Sequence, residues 1–395
     1  MPKINSSQFI FLGVTFLMGI CSSIFGPLQS YFFVNELGAT PSLVGTYLAI
    51  SSFATILVSQ LVAMYSDRGI ARHKLIIFSA ACGILAFIGF IFIKNIYALA
   101  FIGLTLLACV SIGAPQLFAL AAEVFGDENE SLMGTMRAVV SMAWVIGPPM
   151  AFSLVSLFSF NITFAILIVS YACIAFAALK LHMPLAVKPE QQKLETGSEN
   201  TKLNLKLLFA IAGMVFLFAA GTNYTMAMPL YIMKMAKHPE WLPGVFFGLT
   251  AAFEIPLMLL SGRISKRISH QKQLLLAAAL GSIYYLLFVT AASMVFLLAI
   301  QMIGAASIAL SATAGLQFFQ HQAKNRLGYA STLYANSIVG GMALGAFVGG
   351  LLASSWGYHL ALASNVIMCI LSLICFHLAR QADTNCIAIT APTCA

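Results

Sequence analysis

Twelve separate stretches of the 395-residue chain are each long and apolar enough to cross a bilayer as a helix, which takes about 20 such residues. They fall at 9–33, 43–65, 75–93, 97–121, 134–158 and 160–181, and again at 207–232, 243–262, 273–292, 294–319, 328–353 and 357–379. Hydrocarbon offers a bare backbone group no partner, so a spanning segment must be a helix or a strand of a closed barrel. Barrel strands would alternate polar and apolar residues over about ten positions, and the runs do not alternate. The expected class is an all-α membrane protein with twelve transmembrane helices. Composition agrees, because 61% hydrophobic and 8% charged residues with a mean hydropathy of +0.95 cannot cover a water-facing surface. The first run, Phe9 to Phe33, is longer than the apolar core of a signal peptide and lacks a convincing cleavage site, so it is expected to be retained.

Basic residues set the expected orientation, since they concentrate in cytoplasmic loops. With the amino terminus inside, 17 of the 20 lysines and arginines are cytoplasmic and only Lys94, Lys234 and Lys237 lie outside. Both termini are then cytoplasmic, and the formal charge of +8 follows from topology without a nucleic-acid partner. The loop after the fourth span is locally acidic, with Glu123, Asp127, Glu128 and Glu130, but acidic residues count little toward orientation. The eight cysteines show no ligand spacing, six being scattered singly through helices with Cys386 and Cys394 in the tail. None of the seven histidines falls near a predicted bilayer centre. Neither a metal site nor a disulfide framework is expected. No phosphate-cradling G-x-x-x-x-G-K-[ST] loop occurs, so no nucleotide or other cofactor is expected.

A polar stretch from Met183 to Lys206 has linker composition and divides the chain near its middle. The expected organisation is a six-helix bundle over 1–182, a cytoplasmic linker over 183–206, a second bundle over 207–380 and a cytoplasmic tail over 381–395. Features recur across the linker at an offset near 200. Gly26-Pro27-Leu28 matches Met228-Pro229-Leu230, Gln116-Leu117-Phe118 matches Gln317-Phe318-Phe319, and the small residues Ala143, Gly147 and Ala151 match Gly341, Gly345 and Gly349. Two pseudo-symmetric halves in parallel orientation are the arrangement of transporters that bind substrate near the bilayer midplane.

Ser66-Asp67-Arg68-Gly69, followed by Arg72-His73-Lys74, resembles the signature loop of the major facilitator superfamily. Ala63 stands at its leading glycine and the basic pair is displaced. Gly134, Ala143, Gly147 and Pro148 in the fifth span are similar to the superfamily's antiporter signature, with Ala143 at a glycine position. The runs Pro115-Gln116-Leu117-Phe118, Ala143-Trp144-Val145-Ile146-Gly147-Pro148-Pro149 and Glu254-Ile255-Pro256 resemble those of bacterial sugar efflux transporters. The resemblance implies the major facilitator fold, export of sugars or sugar analogues across the inner membrane, proton antiport by alternating access, and function as a monomer rather than as an enzyme. One departure is Ala227 just before Met228-Pro229-Leu230, where the resembled family carries an acidic residue.

Glu254 demands explanation without any resemblance, because it is the one charged side chain of 32 placed near a bilayer centre. An acidic group at that depth costs a few kcal/mol and ordinarily faces a cavity, so it is a functional candidate. Withdrawal from water favours a carboxyl's neutral form, the chemistry a proton-handling group uses, and its oxygens accept bonds from sugar hydroxyls. Asn223, Tyr224 and Trp144 are the companions expected at a substrate site, each also able to serve only as packing. Gln29, Gln301, Gln116, Gln317 and Asn336 are expected along the pathway. Asp67 and Arg68, with Glu123 and Arg137, are expected to latch the cytoplasmic ends, Asp67 facing the positive end of the eleventh helix. Expected partners are thus a small-molecule sugar, protons and lipid. A drug/proton antiporter for small amphipathic compounds is the alternative, followed by a non-transporting sensor, against which the short tail argues.

Overall fold

The computed structural model describes residues 6–66, 71–125, 129–181, 205–235, 237–265, 267–291, 293–322 and 327–390. The latch residues Asp67 and Arg68 lie outside the described residues, as do Asp127, Glu128, linker residues 183–204, Lys266 and the end of the tail, including Cys394.

Apolar sequence that must close its own hydrogen bonds forms helices, and twelve helices among the described residues are long and apolar enough to span a membrane. They are α1 (Ser7–Glu36), α2 (Pro41–Val62), α3 (Arg72–Phe92), α4 (Ile96–Phe125), α5 (Leu132–Leu157), α6 (Phe160–Leu179), α7 (Leu205–Lys234), α8 (Leu242–Ser261), α9 (His270–Thr290), α10 (Met294–Gln322), α11 (Tyr329–Trp356) and α12 (Tyr358–Gln381). The side on which α1 begins is the near side; α1 to α2 turns over on the far side. Local chemistry fixes several starts. Asn95 caps α4 by accepting from the amides of Tyr97 and Ala98 at 2.9 and 3.1 Å, and Ser159 caps α6 by accepting from Ile162.

The repeat extends into backbone detail that residue types do not reveal. The far ends of α1 and α7 both widen into a π-helical turn, Phe32–Glu36 and Tyr231–Met235. Each is followed by a left-handed residue, Gly38 at φ +66° and Lys237 at φ +54°. Each turn closes with the same bond, Ala39 N to Phe33 O at 3.0 Å and His238 N to Ile232 O at 3.1 Å. The offset is 199 throughout (237 − 38, 238 − 39). The first turn uses glycine, which adopts a positive φ without penalty, and the second forces a lysine into it.

Contacts gather the chain into two compact units. The first comprises Met1–Phe25, Ala54–Gly147 and Leu157–Leu203. Within it α3 packs on α6 and α4, around a cluster in which Phe87 stacks on Phe164 at 5.8 Å and on Tyr171 at 5.9 Å and meets Phe25 edge-on at 5.0 Å. The second comprises Gly26–Phe53, Pro148–Ser156 and Asn204–Ala395, with α7 packed on α11 and α12, and α9 on α10 and α12. This cut differs from one at the linker, because the far ends of α1, α2 and α5 belong with α7 to α12.

Lys237→Gly is expected to stabilise the protein by roughly 0.5–1 kcal/mol, relief of the left-handed strain exceeding the extra chain entropy of glycine. Thermal unfolding in detergent measures it; a lower melting temperature than wild type would contradict this reading of the turn.

Candidate functional site

Glu254 lies 12 residues after Leu242 and 10 before Ile264 in the helix that spans them, about 18 and 15 Å along the axis at the α-helical rise. It is half-buried. Phe247 and Thr250, seven and four residues earlier, share its face. The exposed Ala252, Pro256 and Leu259 lie round the other side of α8. No hydrogen bond or ion pair to Glu254 is present among the described residues. It is thus a carboxyl group at mid-span, turned away from the most exposed face of its helix, with both oxygens unclaimed.

Aromatic rings line the second unit beside it. Phe247 stacks on Phe152 of α5 at 6.5 Å, Phe152 meets Tyr31 of α1 at 6.2 Å, and Tyr224 of α7 packs edge-on against Phe247 at 6.0 Å. Tyr224 also contacts Tyr284, Tyr285 and Phe288 of α9 at 5.3–5.8 Å. Tyr224 thus meets α8 at Phe247, two turns before Glu254 on the same face of the helix. Tyr224 is itself buried, however, with its hydroxyl enclosed.

Asn223 is put to a different use from the substrate contact expected of it. It is fully buried, and its amide donates at 2.7 Å to both Ala361 O and Asn365 Oδ1 of α12. Its own Oδ1 lies where a Cβ on Gly349 of α11 would sit. The amide thus joins three helices. The neighbouring glycines show why the spacing is four: a Cβ on Gly341 would stand 2.6 Å from Val215 O, and one on Gly345 would overlap Ala219 O. The stripe 341, 345, 349 runs along the α7 backbone at 215, 219 and 223, so helices without a hydrophobic drive to associate meet at contact distance.

The antiporter-like segment repeats this contact in the first unit. Gly147 presses on Ser23 of α1, whose hydroxyl donates to Ala143 O at 3.0 Å. Alanine is accommodated at 143 because α1 presents Gly19, where a Cβ would come within 2.8 Å of the Ala143 methyl. Gly134 has open space around it, and Trp144, in the first unit, is partly exposed on the same helix.

Two further glycine contacts occur within the second unit, near the far side. A Cβ on Gly45 of α2 would overlap Ala346 O and stand 2.8 Å from Gly350 Cα of α11. On Gly244 of α8 it would stand 2.6 Å from Pro148 O and 2.8 Å from Pro149 Cα of α5. The pairs α2–α11 and α8–α5 are related by the internal repeat, 244 being 45 + 199. Pro148 therefore contributes to a backbone contact as well as to a proline in the helix.

The glutamines fall into separate roles. Gln29 donates to Tyr47 OH at 2.7 Å. Gln301, expected along the pathway, is fully buried and bonded on both sides of its amide. Gln116 is largely buried, accepting from Arg72 at 3.1 Å. Gln317 and Asn336 are exposed. At the near side Glu123 pairs with Arg72 at 2.6 Å; no pair between Glu123 and Arg137 is present among the described residues, and Arg137 is exposed. Arg72, which begins α3, takes the carboxylate at the end of α4. Thr250, Tyr284, Gly45 and Gly244 were missed by sequence reasoning. The offset of 199 between the two glycines was the available signal.

These features define a polytopic helical membrane protein built on an internal repeat, with an acid at mid-span that has no partner among the described residues. The chain belongs to the Major Facilitator Superfamily, whose sequence profile matches residues 11–337. It is 34% identical to Sugar efflux transporter B of Salmonella typhimurium over 94% of this chain and 95% of that one. It is 31% identical to Sugar efflux transporter C of Escherichia coli over 92% and 94%. Its fold is similar to the crystal structure of the nucleoside transporter NupG, with TM-score 0.82 and 14% identity over 96% of this chain and 99% of that one. A similar relation holds to a bacterial homologue of the lysosomal transporter Spinster, with TM-score 0.75 and 12% identity over 95% and 96%. The protein is accordingly a multi-pass inner-membrane transporter and not an enzyme.

Gly349→Ala is expected to lower the melting temperature by pushing on Asn223, and Asn223→Ala to lower it by removing both α12 bonds, each costing about 1–2 kcal/mol. The double variant should be less damaged than the sum, because the second change relieves the clash. Strict additivity in detergent melts would refute direct contact between the two.

Proposed function

We propose that this protein exports sugars or sugar analogues by proton antiport, alternating access to a site at Glu254, as a monomer with both termini in the cytoplasm. The observation that carries the reading is Glu254 itself: a lone mid-span carboxyl, without a partner among the described residues, on the face of α8 that carries Phe247. A carboxylate flanked by aromatic rings suits a polyhydroxylated ring, which offers hydroxyl donors at its edge and an apolar face. The same carboxyl is free to bind a proton when sugar is absent, which couples the two loads through one group. The relatives, sugar efflux transporters B and C, support sugar as cargo, and the basic residues support the orientation.

The far-side glycine contacts support alternating access. Backbones meet at van der Waals distance at Gly45 and Gly244 on that side, where Ser30 Oγ of α1 also donates to Met226 O of α7 at 3.0 Å, so parting them breaks that bond as well as the packing.

Two experiments test the reading. In vesicles with an imposed pH gradient, Glu254→Gln is expected to abolish proton-driven sugar transport, and Glu254→Asp to retain part of it. A Glu254→Gln rate and pH dependence equal to wild type would overturn the assignment. Lipophilic cations tested in the same vesicles distinguish a drug antiporter, which would move them in preference to sugars. Separately, Gly45→Leu combined with Gly244→Leu should hold the far side apart. A cysteine at Gln29, in a background lacking native cysteines, should then react faster with a membrane-impermeant maleimide. Unchanged labelling would count against the seal.

A further inference from the structure

Helix α8 is tied to α10 by two side-chain bonds that bracket Glu254. Thr250 Oγ1, one turn before the acid, lies 2.8 Å from Gln301 Oε1 and also 2.8 Å from Phe246 O, so its single proton bridges the α8 backbone and α10. Ser261 Oγ, two turns after the acid, donates to Thr313 Oγ1 at 2.7 Å. Between these ties stands Pro256, which has no N–H to give Ala252 O, so the turn carrying Glu254 lacks one rung of its own ladder. Its position is set from outside the helix.

Gln301 is the more elaborate of the two anchors. It is 0% exposed. Its carbonyl accepts from Thr250 and from Tyr284 OH at 3.0 Å, filling both lone pairs, and its amide donates to Leu297 O at 2.8 Å. Tyr284 packs against Tyr224 at 5.7 Å. One glutamine therefore holds the α8 turn before Glu254 and, through Tyr284, the ring cluster that carries Tyr224. The Tyr224 hydroxyl is enclosed in the same cluster.

We propose that Gln301 is a positioning residue for the substrate site, fixing Glu254 through Thr250 and Tyr224 through Tyr284; this rests on the reading that Glu254 handles substrate. Such a residue acts on affinity more than on folding, since the rest of the α8–α10 interface stays in place.

Full-length protein in vesicles, assayed for uptake and efflux of a labelled sugar that wild type transports, provides the test. Thr250→Val keeps the shape and removes the proton that bridges to Gln301. The half-saturating sugar concentration is expected to rise about five-fold, a factor typical of one lost hydrogen bond. The melting temperature should stay close to wild type, and Thr250→Ser should restore affinity. Tyr284→Phe, which cuts the other bond to Gln301, should shift affinity in the same direction. Wild-type half-saturation in both Thr250→Val and Tyr284→Phe would overturn the proposal, as would a loss of activity explained wholly by loss of folded protein. Glu254→Gln run in parallel separates the two levels. If it loses coupled transport while Thr250→Val and Tyr284→Phe match wild type, only the positioning role falls. If it matches wild type, the assignment of Glu254 falls and this one with it.

Discussion

Hydrocarbon makes no hydrogen bonds, and most of this architecture follows from that. A backbone that must satisfy itself becomes helix. Helices already surrounded by apolar lipid gain little by burying apolar side chains, so they associate where their surfaces approach closely or where a polar group needs a partner. Both devices are visible here. The glycine stripe of α11 lies along the α7 carbonyls, and at its end Asn223 ties α7 to α12. Ser23 and Gly147 make the corresponding contact between α1 and α5.

The same economy separates contacts that hold from contacts that can part. Bonded amides such as Asn223 and Gln301 are buried within the second unit and have specific partners. At the far side, Gly45 and Gly244 meet backbone at van der Waals distance, and Ser30 of α1 donates to Met226 O of α7 at 3.0 Å. Smooth van der Waals surfaces can re-form after separation without leaving a polar group stranded in lipid. Placing such surfaces at repeat-related positions gives both far-side contacts the same character.

Glu254 owes its significance to what surrounds it. Helix α8 carries it on the face with Phe247 and Thr250, and proline at 256 loosens the turn while Thr250 and Ser261 fasten its flanks to α10. An acid so placed has no hydrogen-bond or ion-pair partner among the described residues.

Twelve spans, their repeat and the singular acid were legible in the sequence, because each depends on composition along one helix and the membrane leaves no alternative to helix. The roles of individual polar residues were not. Asn223, Gln301 and Gln116 are alike as amides in apolar sequence, yet the structure pairs Asn223 with Asn365, 142 positions on, Gln301 with Thr250, 51 positions back, and Gln116 with the cation Arg72, 44 positions back. Compensation was hidden too: Ala143 is tolerable because Gly19 faces it, 124 residues earlier (143 − 19). Sequence fixes what a helix is made of and which residues lipid would refuse. Which backbone each glycine touches, and which amide is a fastening, depends on the rotation and approach of neighbouring helices, and only the tertiary structure decided it.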